Sequence, residues 1–320
     1  MVFRADCTGP SPAGPSAEGR PPPRLLGMAV LIDPPSWPAL GTVFSHLIST
    51  ASLTELHEFA ETAGIPRRAF DEDHYDVPAR RYRELVERGA QEVSGTELVR
   101  ALIASGLRVP ARRRGPRLRA SLTARWASLL PTEPALGKEL LDRWSESHRT
   151  YHTPSHLLAV LEALDQLLEP QDAPFRAPVL LAAWFHDAVY NAAAGEDERA
   201  SASLAVDRLR GRTDDAVVRE VQRLVLLTQT HDPASGDRAG QLLCDADLAV
   251  LGGSPQDYAR YAAAIRAEYA HIPDDAFIQG RRVVLQRLVL LDPVYRTARA
   301  QERWTEQARA NLTREMAGLK

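Results

Sequence analysis

Ala182-Ala183-Trp184-Phe185-His186-Asp187-Ala188-Val189-Tyr190 is apolar on nearly every side until it reaches an adjacent histidine and aspartate. Pro178 stands where a first helical residue is favoured, so the pattern predicts a core helix from 178 to about 190, with His186 and Asp187 near its C-terminal end. An unpaired carboxylate in such an interior costs roughly several kcal/mol even after relaxation. A divalent cation held by both side chains would compensate the charge, and it would recruit further His and Asp ligands from elsewhere in the chain.

Two other stretches offer such ligands. In Arg149-Thr150-Tyr151-His152-Thr153-Pro154-Ser155-His156, Thr153 can cap a helix, Pro154 can take its first position and His156 falls in its first turn. Further on, Cys244-Asp245-Ala246-Asp247-Leu248 places a carboxylate pair inside an apolar helical run. Asp247 has Leu243 and Leu251 four residues to either side, which puts it on the inward stripe; Asp245 is the reserve candidate.

A histidine opening one helix, His-Asp closing a second and a late Ala-Asp-x-x-x-Leu aspartate together resemble the HD superfamily of metal-dependent phosphohydrolases. Within it the chain is most similar to an uncharacterised group of predicted phosphohydrolases, through Arg149-x-Tyr151-His152-x-x-x-His156, Trp184-Phe185-His186-Asp187-x-Val189-Tyr190 and Asp245-Ala246-Asp247-Leu248-x-x-Leu251-Gly252. The likeness continues in Ile265-Arg266-x-Glu268-Tyr269, Gly280-Arg281 and Ala308-Arg309-x-Asn311-Leu312, and spans about 120 to 316. It implies an all-α HD-type domain binding a divalent ion (Mn, Fe, Co, Ni or Zn) through His156, His186, Asp187 and Asp247. The activity it implies is hydrolysis of a phosphate ester or anhydride, in a nucleotide or small phosphorylated metabolite, by metal-activated water. Arg149, Arg266 and Arg281 are expected to clamp phosphate, since guanidinium offers a planar donor fork. His152 is expected near the substrate, and Asp187, Glu198 and Glu268 in the catalytic set. His231 lies where some members of the superfamily carry another histidine. The alternative is a metal- and nucleotide-binding sensor or interaction module without turnover.

The remainder of the sequence frames this domain. Residues 1 to 27, dense in Pro, Gly, Ser and Ala, read as a disordered tail or as an upstream mis-start before Met28. From 28 to 110 short strands alternate with helices: a strand at 29–33, a capping box at Ser52–Glu55, a strand at 67–70, a helix opened by Val77-Pro78, a strand at 91–94 and a last helix stopping at Gly106. Leu31-Ile32-Asp33-Pro34-Pro35-Ser36-Trp37-Pro38, Ser45-His46-Leu47-Ile48-Ser49, Asp73-His74-Tyr75-Asp76-Val77-Pro78 and Ser94-Gly95-Thr96-Glu97-Leu98-Val99 resemble a bacterial domain of unknown function, which implies no activity. His46, Asp71, Asp73, His74, Tyr75 and Asp76 cluster there; the Asp-x-Asp-His-Tyr-Asp run reads as a polar turn, and otherwise as a metal or phosphate site. Residues 111 to 119, basic and carrying Gly and Pro, read as a solvated linker, and from 120 to 320 the pattern is helical throughout.

With 320 residues, 44% hydrophobic and 25% charged, the chain can bury two cores. A net charge of -3 gives no overall basic field, so nucleic acid is not an expected partner. Cys7 and Cys244 cannot make a disulfide framework, and no run approaches the ~18 apolar residues of a membrane span. A cytoplasmic protein is expected. Oligomeric state is not legible.

Overall fold

A computed structural model describes residues 29–39, 41–109, 114–191 and 196–319 of the chain. The tail expected over 1 to 27 lies outside these residues, as does the start of the expected linker, 111–113.

The chain opens with β1 (Val30–Ile32), β2 (Trp37–Ala39), β3 (Thr42–Ser49) and α1 (Leu53–Thr62), followed by β4 (Phe70–Asp71), β5 (His74–Pro78), α2 (Ala79–Glu87), β6 (Gln91–Glu92) and α3 (Gly95–Ala104). One sheet runs β4-β5-β3-β1-β6, with β2 also paired to β3; only the β1–β6 pairing is parallel. Period-two alternation sends Leu47, Tyr75, Val77, Val30 and Ile32 to one face, where Leu56 and Ala60 of α1 and Leu85 of α2 cover them. Ile48 and Leu31 point to the opposite face, against Leu98 and Leu102 of α3. Each such side chain, fully buried, contributes roughly 1.5–3 kcal/mol.

Three local readings change. The expected strand at 67–70 is a 3-10 turn over Arg67–Ala69 that becomes strand only at Phe70, because Phe70 N–H bonds back to the Arg67 carbonyl. The run expected to be a polar turn enters a strand at His74, since Tyr75 and Val77 are buried and pull the segment into the sheet. At Ser52 only half of the capping box forms: its hydroxyl accepts from Glu55 N–H at 3.1 Å, while the Glu55 carboxylate takes the Ser49 hydroxyl. Both halves form at Ser94 and Glu97.

The C-terminal part is largely helical: α4 (Gly115–Leu129), α5 (Pro134–Trp144), α6 (Pro154–Leu167), α7 (Ala173–Phe185), α8 (Glu196–Leu209), α9 (Asp215–Leu227), α10 (Arg238–Asp247), α11 (Pro255–Glu268), α12 (Asp274–Leu290) and α13 (Ala298–Gly318). Residues 115–119 are thus helical rather than linker. Arg114, just before them, ion-pairs with Asp71 at 3.2 Å and with Asp73 at 2.5 Å, which ties α4 to the sheet part. A second tie comes from Arg260, whose guanidinium donates to the Gly106 carbonyl; Gly106, at φ 72°, ends α3 in the left-handed conformation that glycine tolerates.

A single apolar core spans this part, with Trp126, Trp144 and Trp184 among its largest buried side chains. The helix expected from 178 begins at Ala173 and ends at Phe185, so Pro178 lies inside it. Pro178 has no N–H for the carbonyl four residues back, but Pro174 starts the helix and the surrounding core holds the turn in place. No helix among the described residues is long and apolar enough to cross a membrane.

Candidate functional site

His156 sits in the first turn of α6, whose N-cap is Thr153, and His186 caps the C-terminus of α7, its N–H still bonded to the Ala182 carbonyl at 2.8 Å. Asp187 follows as the chain leaves the helix, and Asp247 is the last residue of α10. Three helix ends therefore meet at one point. His156 Nε2 is 3.1 Å from Asp247 Oδ1 and 3.8 Å from Asp187 Oδ2. His186 Nε2 is 3.0 Å from Asp187 Oδ2, 3.5 Å from Asp247 Oδ1 and 3.4 Å from His156 Nε2. The Trp144 ring, 5.3 Å from that of His186, walls this cluster on its core side.

The protonation pattern explains what the cluster suits. His186 Nδ1 lies 2.9 Å from the Ala183 carbonyl, which can only accept, so Nδ1 carries a proton. In the neutral ring Nε2 then presents a lone pair to a second imidazole nitrogen and two carboxylate oxygens. Such a convergence of lone pairs in a buried site favours a positive charge, whether a proton on His186 or a bound cation. Burial opposes charge on every member, yet Asp187 and Asp247 hold the His186 imidazole well above its ordinary pKa. Asp187 and Asp247 stay below the usual carboxylate range despite burial, chiefly through the His186 charge. Burial drives His156 down. Two imidazoles and two carboxylates fit a borderline divalent cation.

His231 joins this cluster, its Nε2 2.8 Å from Asp247 Oδ2. Its φ of 54° is in the left-handed region that non-glycine residues seldom occupy. Asp245 points away: its carboxylate accepts the Arg296 and Thr297 N–H groups, each at 2.7 Å, at the start of α13.

Around the cluster the other expected residues divide. His152 Nε2 lies 3.9 Å from Asp187 Oδ2, and its ring stacks on Tyr190 at 4.2 Å. Its Nδ1–H donates to Glu268 Oε2 at 2.7 Å. Glu268, expected as an acid or base, is instead an anchor: Oε1 accepts the N–H groups of Thr150, Tyr151 and His152 at 2.8, 2.8 and 2.9 Å, and Oε2 also accepts from the Tyr190 hydroxyl at 3.1 Å. Burial alone would raise its pKa, but His152 and the backbone donors bring it down to about 2.

The three arginines expected to clamp phosphate are engaged elsewhere. Arg149 is buried and donates to the carbonyls of His152 at 3.2 Å and Asp187 at 2.7 Å, holding the two backbone stretches that carry the site. Arg266 binds the Tyr269 and Ile272 carbonyls and Asp274 at the end of α11. Arg281 grips Glu315 with two bonds, at 2.7 and 3.0 Å.

A cavity of about 580 Å³ opens over His152, His156, Asp187, His231 and Asp247. Glu198 of α8 also borders it, as do Tyr151, Tyr261, Tyr269, Ile265 and Leu288. Its cationic side chain is Arg287 of α12, an exposed residue that sequence reasoning missed because its neighbours Val284, Leu288 and Leu291 read only as a helical stripe. Arg287 has no carboxylate partner among the described residues. His156 and Asp247 border a second cavity too, of about 450 Å³, shared with Glu72 and Arg108 of the sheet part.

Residues 30–105 match the family model of a protein of unknown function (DUF4031). The match lies within the sheet part. No curated protein and no solved structure matches the chain.

Proposed function

We propose that the helical part is an HD-type metal-dependent phosphohydrolase, cleaving a phosphate ester or anhydride in a nucleotide or small phosphorylated metabolite. The observation that carries this reading is the meeting of His156, His186, Asp187 and Asp247 at three helix ends beneath an open cavity. These four residues would hold the cation. When bound, the cation supplies Lewis acidity, polarising a phosphoryl oxygen and making a ligated water acidic enough to act as nucleophile.

The protein's own groups do the remaining work. His231 fixes the Asp247 carboxylate by donating to Oδ2, leaving Oδ1 directed at His156 and His186. Because Glu268 accepts from the Nδ1–H of His152, the Nε2 lone pair of that ring faces the cavity beside Asp187, where it can take a proton from an attacking water. Arg287 would attract the phosphate, and Glu198 is within the same cavity to exchange a proton with solvent. Tyrosines 151, 261 and 269, with Ile265 and Leu288, form an apolar wall suited to a base or another flat group.

The test is elemental analysis of the purified full chain, then phosphate release from a panel of nucleotides and phosphorylated metabolites with Mn or Co added. Release that disappears in Asp187→Ala is expected. Release that survives this substitution, or none from any substrate by metal-loaded protein, would overturn the hydrolase; in the second case, nucleotide binding without turnover would favour the sensor.

A further inference from the structure

The sheet part carries a second group of metal-type ligands. β3 and β5 pair with His46 opposite Asp76, and period two along β5 places His74 on the same face as Asp76. The register thus gathers two imidazoles and a carboxylate, with the two rings 4.9 Å apart between centroids and His74 Nε2 3.4 Å from Asp76 Oδ1. One ligand atom from each lies within 4.8 Å of the others.

Each imidazole is also held from behind by a buried carboxylate. His46 Nδ1–H donates to Asp33 Oδ2 at 3.0 Å, and Asp33 itself is fixed by the His46 N–H at 2.5 Å. His74 Nδ1–H donates to Asp73 Oδ1 at 2.7 Å, and Asp73 Oδ2 takes the Val109 N–H at 2.6 Å as well as Arg114. In its neutral form each ring therefore keeps its proton on Nδ1 and offers Nε2 as a lone pair, the arrangement that metal-binding histidines adopt when a carboxylate fixes the other nitrogen. Asp33 and Asp73 are buried for this purpose, whereas Asp76 is about half exposed, at 48%. Among the described residues that ion-pair within the cluster, Asp33, Asp71, Asp73 and Asp76 face one guanidinium, that of Arg114. A surface turn closing its own hydrogen bonds would need neither the two buried acceptors nor the shared face.

We propose that His46, His74 and Asp76 bind a divalent cation of borderline softness, such as Zn, Co, Mn or Fe(II), at a site separate from the helical one. Three protein ligands leave coordination positions open, and these face a cavity of about 1050 Å³ that His46, His74 and Asp76 border together with Trp37, Arg68 and Arg108.

The full chain, stripped by chelation and reloaded with Co, should hold two equivalents of metal by elemental analysis. His46→Ala/Asp76→Ala should hold one, and adding Asp187→Ala should remove that one. Asp33→Asn, which touches no metal, should weaken the site roughly 10- to 100-fold, as loss of a supporting carboxylate does. A His46→Ala/Asp76→Ala protein that binds as much metal as the unaltered chain overturns the inference. If that pair unfolds by circular dichroism, Asp76→Ala alone decides: its half-exposed side chain can be lost without disturbing the sheet, and unchanged Co affinity again overturns the site. The two sites fail separately, because an Asp187→Ala chain that keeps the full metal content counts against the helical site only.

Discussion

His152 Nδ1 and Glu268 Oε2 stand 2.7 Å apart, although 116 residues separate them in the chain. The bond joins the loop before α6 to the last turn of α11, and the same carboxylate closes over three backbone N–H groups of that loop. Glu268→Gln should cost on the order of 3 kcal/mol near neutral pH, the equivalent of lowering a carboxyl from 4.5 to about 2 on folding. The sign follows from the depressed folded value: the stabilisation is complete above the unfolded pKa and is lost as pH falls through the folded one. The difference between the unaltered chain and Glu268→Gln in urea unfolding should therefore shrink between about pH 4.5 and about pH 2. A difference that stays constant over that window would show that Glu268 is not held ionised by its donors.

Asp245 and Asp247 should separate stability from metal binding. Asp247→Ala removes a carboxylate that faces two imidazoles and should abolish binding at the helical site with little change in helix content. Asp245→Ala strands two N–H donors at the start of α13, at roughly 1–3 kcal/mol each, while metal content stays as it was. Elemental analysis beside thermal unfolding reads both. The opposite pattern would make Asp245 the ligand.

Arg281 and Arg287 should separate in the same manner. Arg281→Ala leaves Glu315 without its buried partner, a loss of about 3–5 kcal/mol in a denaturant titration. Arg287→Ala should change stability by no more than about 0.5 kcal/mol, yet weaken binding of inorganic phosphate or a nucleotide measured by calorimetry. Equal ligand affinity with and without Arg287 would remove it from the site.

Gly137 lets α5 approach Trp126 closely. A Cβ there would meet the indole Cδ1 at 2.2 Å, and Trp126 has no room to retreat because its ring packs edge-on against Trp184 at 5.1 Å. Gly137→Ala should cost about 1–3 kcal/mol and lower the melting temperature by several degrees. An unchanged melting temperature would mean that the crossing of α4 and α5 is looser than described.

Much of the helical part was legible from local signals. Thr153-Pro154 opens α6, Ser254-Pro255 opens α11, and apolar residues at helical spacing mark the buried stripe of α9. His156, His186, Asp187 and Asp247 could be named for the same reason, since a charged group in an apolar run is visible without a fold. Strands were harder to read. β5 has 5 residues and a mixed polar face, so Asp-x-Asp-His-Tyr-Asp offered the same pattern to a turn as to a strand.

The sequence by itself determined that the chain beyond 120 is helical, where α1, α3, α6 and α11 start, and which residues carry metal-type side chains, because capping and periodicity are encoded within a few residues of each other. Only the tertiary structure decided what those side chains touch. Arg149, Arg266 and Arg281 looked alike as phosphate clamps, yet each meets carbonyls or a carboxylate supplied by the packing of its own neighbourhood, and Arg287 alone of the four borders the cavity. Glu268 became an anchor rather than a proton donor because α11 docks beside the 150–152 loop. His46 and Asp76 became partners because the β3–β5 register sets them opposite one another. Hydrogen-bond partners and strand register are long-range choices, fixed by whichever packing buries the most apolar surface, and no window of local sequence contains them.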